Sequence, residues 1–274
     1  MLTTRVIPCL DVRDGRIVKG VRFQSLRDAG DPASRAEAYE QTGADEIVML
    51  DVSATNEGRA TAARTVRAIR RALSIPLTVG GGIRSIDDAS RLLDAGADKV
   101  SVNSAAVRDP DLITRLADRF GRQCVVLAID AARQNAARRD ESQAGTTGYT
   151  VLTRSGTTPE PLDPLAWAAE GQSRGAGEIL LTSFDRDGTG DGYDLDLLAL
   201  IASSVEIPVI ASGGARNAQH LADAVRAGAD AVLAASIFHD GLTTPDAIKR
   251  ELADLGLRVR REEPASNAAE ECVA

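Results

Sequence analysis

Short runs of apolar and β-branched residues recur along the chain, separated by longer stretches in which apolar residues fall three or four positions apart. The first pattern is typical of buried β-strands and the second of amphipathic α-helices. We predict eight strands, at Arg5–Asp11, Glu46–Val52, Leu77–Gly80, Lys99–Asn103, Val125–Asp130, Glu178–Ser183, Val209–Ser212 and Ala231–Ala235. The helical pattern covers Ala33–Thr42, Thr61–Leu73, Ile86–Ala95, Pro110–Phe120, Leu165–Ser173, Leu195–Ser203 and Ala218–Ala227.

Strands that alternate with helices form parallel sheets, and eight such units are the number that closes a (βα)8, or TIM, barrel. The alternative is an open doubly wound sheet, which usually carries a Gly-x-Gly-x-x-Gly turn after its first strand. The residues after Asp11 contain no such turn. The pattern therefore favours the α/β class and a single TIM barrel.

The two halves of the chain resemble each other. GADEIVML (43–50) resembles GAGEILLT (175–182), IPLTVGGGI (75–83) resembles IPVIASGGA (207–215), and GADKVSVNS (96–104) resembles GADAVLAAS (228–236), each pair being 132 positions apart. We therefore predict one barrel over residues 1–260, built from two (βα)4 half-barrels at about 1–123 and 124–260. Residues 261–274 have the composition of a disordered tail.

The repeat is interrupted after the fifth strand. The strands IPCLDV and VLAIDA match at Asp11 and Asp130, which are only 119 positions apart, so the second half carries extra residues within 131–151. That stretch is polar and of low complexity, which predicts a solvated loop or a hairpin. We assign no function within 133–148.

Composition excludes several classes of function. A net charge of −8 and a pI near 5.0 argue against a nucleic-acid-binding surface. No run approaches the ~18 consecutive apolar residues of a membrane span, and the N-terminus lacks the features of a signal peptide. Three cysteines without metal-ligand spacing indicate a reduced, cytoplasmic protein with no metal site and no cofactor.

Two aspartates end repeat-related strands. Asp11 ends the first strand and Asp130 ends the fifth, and these strands face each other across an eight-stranded barrel. TIM barrels place their chemistry at the C-terminal strand ends. Two facing carboxylates can act as an acid–base pair when one is protonated and the other ionised.

Glycine-containing strand ends are also duplicated. Glycines 80–82 follow the third strand and Asn103-Ser104 the fourth; their counterparts are Gly213-Gly214 and Ala235-Ser236. Glycine lets backbone N–H groups approach an anion closely, and the loops after strands seven and eight form the usual phosphate site of such barrels. The duplication predicts a substrate with a phosphate at each end.

Other charged positions lie near the predicted mouth. The sixth strand turns Thr182 inward and is followed by Asp185, Asp187 and Gly188, which we take as candidate substrate contacts. The first loop, residues 13–32, is long for a connection of this kind and predicts a lid. Lys19, one of only three lysines in the chain, lies within it.

The opposite end of the barrel carries an unusual set of charges. Arg5, Glu46, Lys99 and Glu178 begin four strands, and three of them share the alternation of inward-pointing residues further along the same strand. We predict a ring of two cations and two carboxylates that closes the barrel floor. Buried charges are tolerated when paired, so the ring is either a structural plug or a gate for a small molecule.

The segments IPCLDVRDGRIVKG, VGGGIRS, GADKVSVNSAA, AIDA, GAGEILLTSFDRDGT and IPVIASGGA resemble the cyclase subunits of imidazole glycerol phosphate synthase, over about residues 2–260. The resemblance implies an enzyme of histidine biosynthesis. It would convert N′-phosphoribulosyl-formimino-AICAR ribonucleotide and ammonia into imidazole glycerol phosphate and AICAR ribonucleotide. It also implies a partner, a glutaminase subunit that docks at the barrel floor and delivers ammonia through the barrel.

The resemblance assigns roles to individual residues. Asp11 and Asp130 match the general acid and base, and Lys19 matches a lysine of a mobile loop. The phosphate sites match Gly82, Asn103 and Ser104 on one side and Gly188, Gly214 and Ser236 on the other. The gate matches Arg5, Glu46, Lys99 and Glu178, and Asp98 matches the docking surface. Arg22 departs from the asparagine that is usual in the family.

Two alternatives remain open from the sequence. One is the sister half-barrel enzyme, the phosphoribosylformimino-AICAR ribonucleotide isomerase, which shares the paired aspartates and phosphate sites. The other is a phosphate-binding scaffold barrel without catalysis. The CLDV start, the FDRDGT loop and the charged floor favour the cyclase.

Overall fold

Eight parallel strands pair edge to edge and close into a ring, which confirms the predicted TIM barrel. In this computed structural model, residues 3–21, 24–57, 61, 63–134 and 147–261 are described, with only the backbone at 19–21, 24–27 and 56. Numbered in chain order, the barrel strands are β1 (Arg5–Arg13), β4 (Ile47–Asp51), β5 (Leu77–Gly80), β6 (Lys99–Val102), β7 (Val125–Arg133), β10 (Glu178–Ser183), β11 (Val209–Ser212) and β12 (Ala231–Ala234). The ring closes because β12 pairs with β1 and β10 pairs with β7.

Helices cover the outside of the barrel. They are α1 (Pro32–Gln41), α2 (Ala54–Glu57), α3 (Ala63–Ala72), α4 (Ile86–Asp94), α5 (Ser104–Arg108), α6 (Asp111–Phe120), α7 (Pro164–Ser173), α8 (Leu195–Ala202), α9 (Ala218–Arg226), α10 (Ser236–His239) and α11 (Pro245–Asp254). Side-chain oxygens cap several of them, such as Asp163 at α7 and Asn217 at α9, because the first backbone N–H groups of a helix lack partners within it. None of these helices combines the length and hydrophobicity needed to cross a bilayer.

Two antiparallel hairpins extend the barrel at its C-terminal end. The first loop, which the sequence predicted as a lid, forms β2 (Arg16–Val21) and β3 (Gln24–Gly30). The segment after β7 forms β8 (Tyr149–Thr153) and β9 (Thr158–Pro159). Within the predicted loop or hairpin at 131–151, the end of β7 pairs antiparallel with the start of β8, Arg133 lying opposite Tyr149. Arg22 and residues 135–146 of the insertion lie outside the described residues, as do 262–274 of the predicted tail.

The barrel interior is filled by a small apolar cluster separate from the main core. Its buried members are Ile7, Cys9, Val48, Val126, Leu180, Ile210, Ala231 and Leu233. Neighbouring residues on the same strands, such as Val6, Leu10 and Ile47, face the helices instead. This alternation follows from the two-residue period of a strand, and it decides which charged residues point into the barrel.

A buried ion pair joins the last helix to the first half of the barrel. Lys249 of α11 donates to Asp45 across 2.6 Å, and the other Asp45 oxygen accepts the backbone N–H of Val6 in β1. Both side chains are about 95% buried. Helix α11 lay beyond the predicted elements, although Ile248 and Leu252 show its helical spacing and are buried.

Candidate active site at the barrel mouth

A cavity of about 740 Å³ opens at the C-terminal end of the barrel. Asp11 from β1 and Asp130 from β7 both line it. These two strands are separated by three others in either direction around the ring, so the carboxylates enter the cavity from opposite walls. The alternation of each strand brings them there, as the sequence indicated.

The two carboxylates have different hydrogen-bond partners. Asp130 accepts from the side-chain amide of Asn103 at 3.0 Å and from the hydroxyl of Thr182. Asp11 accepts from the thiol of Cys9 at 3.4 Å, and a thiol is a weaker donor than an amide or hydroxyl. Asp130 is therefore the more firmly oriented of the two.

Both carboxylates hold protons more tightly than ordinary aspartates. Burial raises the pKa of Asp11 to about 7, and the negative charge of Asp187 adds to that shift. The pKa of Asp130 is likewise raised to about 7, first by burial and then by Asp187. A pair with pKa values near neutrality can supply one acid and one base at the same pH.

Two glycine turns form opposite ends of the cavity. Gly81 and Gly82 have φ values of +89° and +69°, and their counterparts Gly213 and Gly214 have +94° and +99°. A Cβ at Gly81 would overlap the carbonyl oxygen of Asp51, and one at Gly214 would overlap that of Gly192. Both turns therefore require glycine, and each leaves backbone close to the cavity.

The structure brings most of the other predicted contacts to the same cavity. Its lining includes Gly82, Asn103, Ser104, Thr182, Asp187, Gly188, Gly213, Gly214, Ala235 and Ser236. Asp185 is absent from the lining, and its carboxylate accepts the backbone N–H of Arg133 at 2.7 Å, which ties the β10–α8 loop to β7. Lys19 lies on β2, where only the backbone is described.

Four charged side chains meet at the opposite end of the barrel. Lys99 donates to Glu46 and to Glu178, at 2.9 Å in each case. Arg5 likewise pairs with Glu46, at 2.8 Å, and with Glu178. Each cation thus bridges both carboxylates, and both glutamates are buried while the cations keep some exposure. The ring lies directly beneath the apolar interior.

Asp98 has a structural partner inside the chain. One of its oxygens accepts the backbone N–H of Leu77 at 2.8 Å and the Arg70 guanidinium at 3.0 Å. Its repeat counterpart Asp230 accepts the N–H of Val209 in the same way. The Asp98 side chain is still 51% exposed.

Sequence reasoning missed some residues of the cavity. Cys9 lines it beneath Asp11, and the strand alternation that turned Asp11 inward would have found Cys9 two positions earlier. Arg154 and Ser155 line it from the β8–β9 turn, and no periodic pattern signals a hairpin turn that folds over a distant loop.

A family model described as "Histidine biosynthesis protein" matches residues 5–244. The chain is 54% identical over 261 residues to the imidazole glycerol phosphate synthase subunit HisF of Acidobacterium capsulatum, covering 95% of this chain and 99% of that protein. For the same subunit of Corynebacterium urealyticum the identity is 55%, covering 92% and 96%. For that of Methanopyrus kandleri it is 52%, covering 95% and 99%.

Proposed function

The chain belongs to the family of histidine biosynthesis proteins, and we propose that it acts as the cyclase subunit of an imidazole glycerol phosphate synthase, a lyase. The observation that carries the proposal is the pair of facing aspartates at one barrel mouth, in a chain 52–55% identical to such subunits. That identity over nearly the whole chain favours the cyclase over the sister isomerase. A scaffold barrel would have no use for two carboxylates with pKa values near 7.

The proposed reaction joins ammonia to N′-phosphoribulosyl-formimino-AICAR ribonucleotide and releases imidazole glycerol phosphate, AICAR ribonucleotide and water. Ring closure and cleavage both require protons to move at the reacting nitrogen and carbon atoms. A protonated aspartic acid on one wall can donate a proton while the ionised aspartate on the other accepts one. Asp11 and Asp130 both line the cavity, and in our proposal they take these two roles.

The cavity suits a substrate with two phosphates. Its two glycine turns come from equivalent strands of the two half-barrels, half a turn apart around the barrel. Backbone N–H groups at such turns can bind phosphate oxygens without the bulk of a side chain. A substrate that spans them would lie across the aspartates, which places its reacting centre between acid and base.

We place the entry of ammonia at the floor. The relatives are named as a subunit, so this chain forms part of a larger synthase. In our proposal the partner is a glutaminase that docks against the floor near Asp98. Neutral ammonia would pass the ring of Arg5, Glu46, Lys99 and Glu178 and cross the apolar interior.

The proposed activity can be tested without the partner. We expect the purified chain to form AICAR ribonucleotide from the substrate and an ammonium salt at high pH, where free ammonia is abundant. Glutamine should support the reaction only after a glutaminase subunit is added. If the chain makes no AICAR ribonucleotide at any ammonia concentration, the proposal is wrong.

Replacing Lys99 with alanine should separate the two ammonia sources. Without this cation, two buried carboxylates at the floor lose a positive partner. They will then bind water or ammonium ion, which obstructs the passage of ammonia. We expect the glutamine-driven rate to fall roughly tenfold, about 1.4 kcal/mol of barrier. The ammonia-driven rate should change less than about twofold because ammonia from solution enters at the mouth. Equal losses in both rates would contradict a passage through the floor.

The pH dependence of kcat/KM should be bell-shaped around neutrality, once the rate is referred to free ammonia. Activity needs one carboxyl protonated and one ionised, so it should fall below and above pH about 7, the value to which both pKa values are raised. Asp187→Asn removes a negative charge that raises both pKa values. The optimum should therefore move to lower pH, and an optimum that stays fixed or rises would show that Asp187 does not control the pair.

A further inference from the structure

The turn between β8 and β9 holds side chains in an unfavourable backbone conformation. Arg154 and Ser155 have φ values of +54° and +55°, in the left-handed region that residues with a Cβ rarely adopt. Asp14 is the other non-glycine residue with a positive φ in the described part of the chain. Two such residues in succession persist only where other interactions hold them, and such strain concentrates at functional sites.

Hydrogen bonds to distant parts of the mouth hold this turn. The backbone N–H of Arg154 donates to the hydroxyl of Ser104 at 2.9 Å. The hydroxyl of Ser155 donates to the carbonyl of Val52, beyond the end of β4, at 2.9 Å. Thr157 closes the turn by donating to the Arg154 carbonyl at 2.8 Å. The turn therefore bridges the ends of β4 and β6, beside the turn that contains Gly82.

Arg154 brings a positive charge to this end of the cavity. Its side chain is exposed and lines the cavity together with Arg108, and Arg108 folds back so that Nε donates to the Ser104 carbonyl at 3.2 Å. Across the described residues, neither arginine has an ion pair with a carboxylate. By contrast, Arg84 of the same cavity lies 3.8 Å from Asp88. Two arginines near one glycine turn thus form no ion pair with any carboxylate of the described residues.

The two half-barrels carry equivalent hairpins, each with a basic residue. Each half extends its first strand into an antiparallel hairpin, β2–β3 after β1 and β8–β9 after β7. The first hairpin carries Lys19 and the second carries Arg154. Arg108 has Asp240 as its counterpart 132 positions later, and the lining of the cavity includes Arg108 but not Asp240.

We propose that Arg154, presented by the β8–β9 turn beside Arg108, binds the substrate phosphate that lies at Gly82, Asn103 and Ser104. It is a substrate-binding residue that selects for a dianionic group at this end of the cavity. A guanidinium can donate two parallel hydrogen bonds to phosphate oxygens, which the backbone N–H groups of the glycine turn alone do not supply. The proposal rests on the proposed function and assigns a residue within that site.

The test is the ammonia-driven reaction of the full chain at varied substrate concentration. We expect Arg154→Ala to raise KM roughly tenfold, the loss of a charge-assisted contact, while kcat stays within about threefold. Arg154→Lys should recover part of the affinity, because it retains the charge but cannot donate two parallel hydrogen bonds. Arg154→Gly should raise KM as alanine does, yet unfold at the same or a higher temperature, because glycine relieves the left-handed strain.

Arg119→Ala serves as the matched control, since Arg119 is an exposed arginine of α6 outside the cavity lining; its KM should equal that of the wild type. An unchanged KM for Arg154→Ala, or a KM for Arg154→Lys as high as that of Arg154→Ala, would overturn the proposal. If the wild-type chain makes no product, the proposed function fails instead. Calorimetric titration with inorganic phosphate then decides on Arg154: weaker binding by Arg154→Ala supports the assignment, and equal binding overturns it.

Discussion

Replacing either Asp11 or Asp130 with asparagine is expected to lower ammonia-driven turnover by about 10²–10⁴-fold, the usual contribution of a positioned acid or base. Asparagine keeps the shape of the side chain and its contacts with Cys9 or with Asn103 and Thr182, but it cannot exchange a proton. The effect should appear in kcat with little change in KM, because the phosphate-binding turns are untouched. Steady-state rates of AICAR ribonucleotide formation measure it.

Urea unfolding of the same variants provides the control. Folding raises the pKa of both carboxyls to about 7, so the folded state resists their ionisation. Below the usual aspartate pKa of about 4, this protonation contributes its full amount to the free energy of unfolding, and the contribution is lost as the pH rises through about 7. Asparagine cannot ionise, so above pH 7 the variants should be at least as stable as the wild type. If a variant keeps full turnover, the replaced aspartate does not act as an acid or base in the reaction.

Lys249→Met is expected to destabilise the fold by about 3–5 kcal/mol, because it leaves the buried carboxylate of Asp45 without its cation. Asp45 also orients β1 through the N–H of Val6, and Lys249 attaches α11 to that point. The pair thus fastens the last helix of the chain to its first strand. The free energy of unfolding from urea titration measures the effect.

Two further variants make this prediction specific. Arg250→Ala breaks an exposed pair with Asp246 on the same helix, and such surface pairs contribute at most about 1 kcal/mol. Combining Asp45→Asn with Lys249→Met should destabilise the fold by less than the sum of the single changes. Each single change leaves the other charged side chain buried without its partner, and the double change does not. Strict additivity, or an effect of Lys249→Met as small as that of Arg250→Ala, would show that this ion pair does not stabilise the contact between α11 and β1.

The alternation of apolar residues was enough to predict the eight barrel strands and the closed fold. The repeat of 132 residues supported that prediction, since each half supplies four strands. The β2–β3 hairpin was not predicted because its strands, Arg16–Val21 and Gln24–Gly30, place few residues in the core: of their described side chains, Ile17 and Val18 are buried. An alternating pattern needs several buried positions along a strand, and two adjacent buried residues do not produce one.

The candidate site followed from the same alternation, applied to both ends of each strand. It placed Asp11 and Asp130 at the mouth and brought Lys99 into the ring at the floor. It could not show that Asp185 turns toward Arg133 rather than the cavity, because loop side chains follow no period. The position of Arg154 could not be predicted either. It depends on two hydrogen bonds to residues far away in the chain, one from Arg154 to Ser104 and one from Ser155 to Val52.

The chain's lysines show what the structure adds to composition. Lys19 and Lys99 received roles through the resemblance, and Lys249 had none. The structure gives Lys249 a buried partner, while Lys99 bridges two glutamates at the floor. Both described lysine side chains therefore pair with carboxylates inside the protein.

We expect Asp11 and Asp130 to catalyse an ammonia-dependent ring closure at this mouth. The most direct measurement supplies the chain alone with substrate and ¹⁵N-labelled ammonium and follows both products by NMR and mass spectrometry. The wild-type chain should form equal amounts of imidazole glycerol phosphate and AICAR ribonucleotide, with a single label in the imidazole ring, and the Asp11→Asn, Asp130→Asn double variant should form no product. Isomerised substrate without label would rule out the cyclase reaction, and labelled product from the double variant at the wild-type rate would rule out catalysis by the two aspartates.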